Sequence, residues 1–199
     1  MEHNEQYFDA MFAQDADPWR FQSRWYEARK RAMTLACLTR PLYASAFEPG
    51  CANGELSAAL APRCERLIVS DGSHQAVALA RVRTAKFGQV EVRRAWIPDE
   101  WPAESFDLIV FSELGYFLSA KSLASFIRKA RSSLRKGGSL LACHWRRGSS
   151  DCEFNGDDVH RRLEADLEMP RLCQIVESDF RIELWCDDER SVAQREGFA

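Results

Sequence analysis

The stretch FEPGCANGELS, residues 47–57, decides how the rest of the chain is interpreted. The strand-like run ASAFEPG (44–50) leads into it, and the helix-forming run ELSAALAPRC (55–64) leaves it. Gly50 and Gly54 allow a sharp turn, and the start of the following helix presents free backbone N–H groups. The stretch therefore predicts either a nucleotide-binding loop or an ordinary turn from strand to helix.

The glycine spacing separates the possible nucleotides. A dinucleotide loop needs G-x-G-x-x-G, whereas this loop is G-x-x-x-G with Ala52 at the second glycine position, which disfavours a nicotinamide-dependent dehydrogenase. Asp71 ends the next strand-like run, RLIVSD (66–71), where a carboxylate can accept both hydroxyls of a ribose. We expect an adenosine-containing ligand without a cradled pyrophosphate, and S-adenosylmethionine fits that description.

Short apolar runs alternate with helical runs along most of the chain, which predicts a parallel sheet covered by helices on both faces. Ser73 is the expected N-cap of the second of these helices, and the Gly137–Gly138 pair is the expected stop of the third. The expected strands are 44–50, 66–71, 90–95, 106–113 and 139–145, and the expected helices are 55–64, 73–86, 120–138 and 156–168.

The end of the chain breaks this alternation. Strand-like runs at 172–179 and 180–187 follow one another with almost nothing between them. Two strands so near each other in the sequence leave no room for a crossover helix, so they must form an antiparallel hairpin. The pattern therefore predicts an α/β fold with a seven-stranded, mostly parallel sheet that ends in an antiparallel hairpin.

The segment before the first strand has helical rather than strand character. Residues 1–43 contain helical runs at 4–13 and 24–38 and are expected to form a helical lid. Residues 44–187 are expected to form the ligand-binding core, and the polar residues 188–199 a frayed tail. The 199 residues together fit one domain.

Composition excludes several classes of function. A formal net charge of −3 provides no basic field for a nucleic-acid partner. No apolar run approaches the roughly 18 residues needed to cross a bilayer, and the N-terminus lacks the features of a signal peptide. Seven cysteines without a Cys-x-x-Cys pair favour reduced thiols over disulfides or zinc, and no metal site is expected. We therefore expect a cytoplasmic protein with no membrane or nucleic-acid partner.

Four core motifs resemble class I S-adenosylmethionine-dependent methyltransferases, which have a Rossmann-like fold: EPGCANG (48–54), IVSD (68–71), FDLIVFSE (106–113) and LRKGGSLLA (134–142). Outside the core, the segment DPWRFQSRWYEARKRAMTLACL (17–38) and the late HWRRG, GDDVHRRL and DFRIELW runs are similar to the nodulation protein S family. That family N-methylates a deacetylated chitooligosaccharide backbone, and it has close relatives without an assigned substrate. Pro49 departs from the small or aliphatic residue usual between the acid and the first glycine.

The resemblance implies a set of cofactor-binding residues. The loop would line the methionine and ribose end of S-adenosylmethionine, Asp71 would take the ribose hydroxyls, and Trp96 and Ile97 would contact adenine through apolar surface and a backbone hydrogen bond. Arg29 or Tyr26 would reach the cofactor carboxylate. The expected cofactor-binding residues are Trp19, Tyr26, Arg29, Glu48, Gly50, Cys51, Ala52, Asn53, Gly54, Asp71, Gly72, Trp96, Ile97, Ser112 and Glu113.

The expected catalytic residues are Glu113, Tyr116 and His144. Glu113 ends the fourth strand, beside the expected position of the methyl group, and could take a proton from an amine acceptor or hold its ammonium form. Tyr116 or His144 would assist, whereas His160 is expected to be structural or to lie on the substrate side. A structural acid is the alternative role for Glu113.

The resulting functional hypothesis is an S-adenosylmethionine-dependent N-methyltransferase acting on an amino sugar or a deacetylated chitooligosaccharide-like acceptor. One alternative is an O- or N-methyltransferase of small molecules in another pathway. Another is a protein that binds S-adenosylmethionine without catalysis. The partner is expected to be a small-molecule or oligosaccharide acceptor, and the oligomeric state is left open.

Overall fold

The computed structural model describes residues 5–148 and 152–198. Seven strands in this part of the chain form a single sheet, and helices cover it. The strands are β1 Ala46–Pro49, β2 Leu67–Asp71, β3 Val90–Arg94, β4 Phe106–Ser112, β5 Leu134–Trp145, β6 Arg171–Val176 and β7 Phe180–Cys186. The α-helices are α1 Glu5–Gln14, α2 Trp25–Ala36, α3 Glu55–Leu60, α4 His74–Thr84, α5 Ala120–Ser133, α6 Gly156–Asp166 and α7 Val192–Arg195.

The sheet has the strand order β3-β2-β1-β4-β5-β7-β6. The first five strands are parallel, and β7 lies antiparallel between β5 and β6. The predicted mostly parallel sheet with a terminal antiparallel hairpin is therefore confirmed. The chain order reverses between β1 and β4, and ligands of open α/β sheets bind at the carboxyl ends of strands around such a point.

The central strands are buried on both faces, because successive side chains point to opposite sides of the sheet. Phe47 and Ile109 belong to one apolar cluster, while their neighbours Ala46 and Leu108 belong to the cluster on the other face. On the first face, Phe126 of α5 stacks on Phe111 with the ring centroids 3.9 Å apart. The rigid centre of the sheet thus fixes the strand ends that carry the site.

The third predicted helix is shorter than expected. α5 ends at Ser133 instead of continuing to Gly138, because Leu134 is already extended and packs into the core at the start of β5. The glycine pair lies inside β5, where Leu134 pairs with Phe106 and Ser139 with Leu108 across an irregular register. The prediction that these glycines stop the helix is therefore wrong.

Two expectations near the helix ends had opposite outcomes. Ser73 is the N-cap of α4, and its hydroxyl accepts a hydrogen bond from the Ala76 N–H, as predicted. The expectation of a frayed tail is wrong up to residue 198, because α7 forms there and Arg195 donates hydrogen bonds to Thr39 and to the Asp188 carbonyl. In the two described segments, no helix is long and apolar enough to cross a membrane.

Candidate active site

A cavity of about 690 Å³ lies at the carboxyl ends of the parallel strands, between the sheet and the segment that carries α1 and α2. It gathers most of the residues expected from the sequence. Those that line it are Trp19, Tyr26, Glu48, Gly50, Cys51, Ala52, Asn53, Asp71, Gly72, Trp96, Ile97, Ser112, Glu113 and Tyr116. Arg29, Gly54 and His144 are the expected residues that do not line it.

The loop after β1 makes a tight turn with left-handed backbone conformations. Gly50 and Gly54 have φ values of +72° and +81°, and Ala52 has φ +50°, a conformation that costs a non-glycine residue free energy. Gly54 does not face the cavity: a Cβ atom there would lie 2.9 Å from the Ala80 Cα. The expected ligand role of Gly54 is therefore replaced by a packing role, since glycine lets the start of α3 approach α4.

Asp71 ties this loop to the end of β2. One carboxylate oxygen accepts the Ala52 N–H at 3.0 Å, and the other accepts the Ser73 N–H at 2.9 Å. Burial raises the pKa of Asp71, and the backbone hydrogen bonds oppose that shift. Each oxygen keeps a second lone pair, so the carboxylate can accept two more hydrogen bonds from a ligand in the cavity.

Trp96 forms one apolar wall of the cavity. Its indole lies directly on the backbone of Gly72, where an added Cβ atom would come within 2.1 Å of the ring. Phe8 of α1 lies near the same indole, with ring centroids 6.5 Å apart. The backbone N–H of Trp96 donates to the Glu100 carboxylate at 2.6 Å and is not free for a ligand. A flat apolar ring fits this wall. The wall can form only with glycine at position 72, because any side chain there would collide with the indole.

Glu113 lies at the centre of a buried polar cluster at the end of β4. Its Oε1 accepts from Lys30 Nζ at 2.6 Å, and its Oε2 accepts from the Tyr116 hydroxyl at 2.5 Å and the Trp145 N–H at 2.9 Å. Burial, followed by the charge of Glu113, raises the pKa of Tyr116 well above its ordinary value. The Tyr116 hydroxyl therefore keeps its proton and donates to Glu113.

His144 is fully buried and takes part in a chain of hydrogen bonds away from the cavity. Its Nε2 accepts the Gly115 N–H at 3.1 Å, so its Nδ1 carries the proton and faces His160 Nε2 at 3.2 Å. His160 Nδ1 in turn lies 2.6 Å from Glu183. The structure thus contradicts the expected catalytic role of His144, because both ring nitrogens have protein partners. Of the two roles expected for His160, structural or on the substrate side, the structural role fits its contacts with His144 and Glu183.

Arg29 faces away from the cavity and forms an ion pair with Glu177. It therefore does not have the position expected of a cofactor-carboxylate ligand. Three other arginines, Arg24, Arg31 and Arg147, line the cavity. Arg31 also donates to the Phe21 carbonyl at 2.6 Å, and Arg147 forms an ion pair with Asp179. Residues two positions apart in a helix point about 200° apart, which is why Arg29 and Arg31 lie on opposite sides of α2.

Lys30 is the principal residue that the sequence analysis missed. It lies on α2 between Glu27 and Glu113, and its side chain is 7% exposed. Burial lowers its pKa, but the charges of Glu113 and Glu27 outweigh burial and raise the pKa above the ordinary value. The spacing of Glu27, Lys30 and Thr34 (i, i+3, i+7) places them on one face of α2 and is the signal that could have identified it; the structure shows all three buried.

Glu48 predicts a pH dependence of stability. Burial raises its pKa from 4.5 to about 8, with Ser57 opposing and Asp71 reinforcing the shift. Since the folded state holds the proton more tightly, the stabilisation is complete below about pH 4.5 and is lost as pH rises through about 8. Over this window the free energy of unfolding should fall in the wild type relative to Glu48→Gln, measured by urea denaturation. Parallel pH curves for the two proteins would contradict the assignment.

All seven cysteines are free thiols. Within residues 5–148 and 152–198, no group of three or more His, Cys, Asp or Glu residues is placed to hold a metal ion.

Comparison with known proteins identifies the family. The family model for nodulation protein S (NodS) matches residues 2–152. The nodulation protein S of Bradyrhizobium diazoefficiens is 38% identical over 118 residues, which are 59% of this chain and 56% of the relative. The aligned part of the chain thus spans just over half the length of this curated relative.

Solved structures cover more of the chain. A putative methyltransferase from Pseudomonas syringae is 51% identical, with a TM-score of 0.74 over 82% of this chain and 99% of that one. N-methyltransferase NodS from Bradyrhizobium japonicum WM9, in complex with S-adenosyl-L-homocysteine, is 25% identical, with a TM-score of 0.82 over 92% and 97%. The resemblance found in the sequence is confirmed by these matches. The chain belongs to the nodulation protein S family.

Proposed function

We propose that this protein is an S-adenosylmethionine-dependent N-methyltransferase acting on an amino sugar or a deacetylated chitooligosaccharide-like acceptor. One observation carries the proposal. The strands β2 and β4 flank β1 in the sheet. Asp71 is the last residue of β2, Glu113 directly follows β4, and both carboxylates line one cavity. The first can bind a ribose, and the second can receive an amine. Similarity to a putative methyltransferase from Pseudomonas syringae and to N-methyltransferase NodS from Bradyrhizobium japonicum supports a methyltransferase. A cytoplasmic location is part of the proposal.

The residues of the cavity fit the proposed cofactor. Asp71 offers acceptor lone pairs to two hydroxyls, and the wall of Trp96, Gly72 and Ile97 suits an adenine ring. Three buried polar atoms of cavity-lining residues lack a hydrogen-bond partner among the described residues: Asn53 Oδ1, Glu48 Oε2 and the Tyr26 hydroxyl oxygen. Since buried polar atoms are normally paired, these atoms are suited to a polar ligand.

Arg24 and Arg31 take the carboxylate role that the sequence analysis gave to Arg29, because they line the cavity and Arg29 does not. A guanidinium suits a carboxylate through two parallel hydrogen bonds. Tyr26, the other expected carboxylate ligand, stays in the proposal. Burial raises the pKa of Tyr26 to about 12, so its hydroxyl remains a donor at neutral pH.

S-adenosylmethionine, when bound, supplies an electrophilic methyl group on its sulfonium sulfur. The chain then has to bring in an amine, align its nitrogen and accept the proton that the nitrogen must lose. Glu113 provides an anion for the ammonium form and a base for its proton. The hydrogen bonds from the Tyr116 hydroxyl and the backbone N–H of Trp145 hold one oxygen, Oε2, of that carboxylate. Alignment of this kind can supply roughly 7–11 kcal/mol of barrier reduction.

Product analysis tests the proposal. The protein is incubated with S-adenosylmethionine and three acceptors: a chitooligosaccharide with one free amine, its fully N-acetylated form, and a small hydroxyl-bearing metabolite. We expect one added methyl group, located by fragmentation mass spectrometry on the amine nitrogen, with only the first acceptor. The N-acetylated oligosaccharide is the matched control, since it differs only at that nitrogen.

The other outcomes separate the alternatives. Methylation of the N-acetylated oligosaccharide or of the metabolite would identify an O-methyltransferase or an enzyme of another pathway. Binding of S-adenosylhomocysteine without turnover of any acceptor would favour a non-catalytic binding protein. Tight binding of NADH, without binding of S-adenosylmethionine or S-adenosylhomocysteine, would overturn the cofactor assignment.

A further inference from the structure

Lys30 is buried between two carboxylates at the wall of the cavity. Its ammonium lies 2.6 Å from Glu113 Oε1 and 3.0 Å from Glu27 Oε2, and the side chains of Lys30 and Glu27 are each less than a tenth exposed. The Tyr26 ring covers the same ammonium, with its centroid 5.2 Å from Nζ. A flexible lysine is therefore held in one position in a water-poor environment, where ionic hydrogen bonds are strong.

The contacts of Glu113 come from three separate elements. Lys30 approaches from α2, Tyr116 from the turn after β4, and the Trp145 N–H from the end of β5. The backbone at Glu113 has φ +53°, a conformation found mostly where surrounding structure imposes it. Oε2 has two donors of its own, so Lys30 is the one contact that holds Oε1 in the described part of the chain.

The charges of the cluster do not cancel. Glu27 and Glu113 carry two formal negative charges, and Lys30 carries one positive charge. One negative charge therefore remains among these three side chains, and the nearby Arg31 is assigned to the cofactor carboxylate in the proposed function. An acceptor that arrives as an ammonium ion would complete this balance, whereas a neutral hydroxyl acceptor would not.

We infer that Lys30 is a positioning residue for methyl transfer, which acts by holding the Glu113 carboxylate against Tyr116 and towards the acceptor amine. The inference rests on the proposed function and adds to it a residue from the lid segment. It also means that the net negative charge of Glu27, Lys30 and Glu113 favours acceptors that arrive as ammonium ions. Because misplacement of a group by about 1 Å can cost roughly a hundredfold in rate, loss of Lys30 should affect turnover strongly.

A double-mutant cycle in kcat tests the inference. Lys30→Met and Glu113→Gln should each lower kcat with the amine acceptor by about a hundredfold or more. If Lys30 acts through Glu113, the double variant should be no slower than Glu113→Gln alone. Lys30→Arg should recover part of the loss, since arginine restores the cation. S-adenosylhomocysteine binding, measured by calorimetry, should stay close to wild type in all of them.

Arg29→Met is the matched control, because it removes a neighbouring cation of α2 that faces away from the cavity. It should retain wild-type kcat. Rate losses of Lys30→Met and Glu113→Gln that multiply in the double variant would overturn the inference, as would wild-type kcat in Lys30→Met.

A crystal structure of Lys30→Met gives a second measurement, which does not depend on turnover. The Glu113 carboxylate should leave its position against Tyr116. An unchanged carboxylate would overturn the inference even if the proposed function holds. If the carboxylate is displaced in Lys30→Met but the wild-type protein methylates no acceptor, the proposed function is overturned and the effect of Lys30 on the position of Glu113 is still supported.

Discussion

Replacement of Asp71 by alanine is expected to weaken binding of S-adenosylmethionine by about a hundredfold or more. A charge-assisted hydrogen bond contributes roughly 1.5–3 kcal/mol, which corresponds to about ten- to a hundredfold in affinity. Asp71 does more than face the ligand, since its two oxygens also hold the Ala52 and Ser73 N–H groups. Alanine removes the proposed ribose contacts and the restraint on a strained loop together. Isothermal titration calorimetry measures the change.

Asp71→Asn separates these two effects. The amide keeps the size of the side chain but places a donor against one of the two backbone N–H groups, so it should lower affinity less than alanine does. Glu91→Gln is the control, because Glu91 is an exposed acid on the neighbouring strand β3 that pairs with Arg66 and Arg93. Wild-type affinity in Asp71→Ala would refute the cofactor assignment, whatever the acceptor is.

The fold could be predicted because its signals are local and repeated. Four of the five parallel strands are followed by a helix along the chain, β3 being the exception, and the lack of space between β6 and β7 leaves only a hairpin. The start of β5 was missed for a tertiary reason. The pair Gly137–Gly138 is typical of a helix stop, but Leu134 leaves the helix earlier because its side chain enters the core beside Phe106.

The site could be predicted where a residue lies at the end of a strand, because the carboxyl ends of parallel strands meet at one edge. Asp71 and Glu113 are such residues, and both line the cavity. The expected catalytic role of His144 conflicts with the alternation of side chains along a strand. Cys143 and Trp145 line the cavity, so the residue between them points to the other face of the sheet. The sequence does not show which face of a helix covers a cavity, which explains the choice of Arg29 instead of Arg31.

Glu113→Gln is expected to leave cofactor binding intact and to lower kcat by about 10²- to 10⁴-fold, the range typical of a lost general acid–base group. Glutamine has the same shape but no negative charge, and its NH2 group must face a donor, because Lys30, Tyr116 and the Trp145 N–H all donate to this side chain. The change therefore removes the proton acceptor and disturbs the acceptor side of the cavity. Single-turnover kinetics with the amine acceptor measures the loss.

Glu27→Gln is the matched comparison for charge, since it removes one carboxylate from the same cluster but leaves Glu113 in contact with Lys30. If the summed negative charge were all that mattered, both variants would slow the reaction equally. A much larger loss in Glu113→Gln would assign the effect to this carboxylate and its position. Turnover equal to wild type in Glu113→Gln would remove Glu113 from the mechanism and leave it as a structural acid that joins α2 to the end of β4.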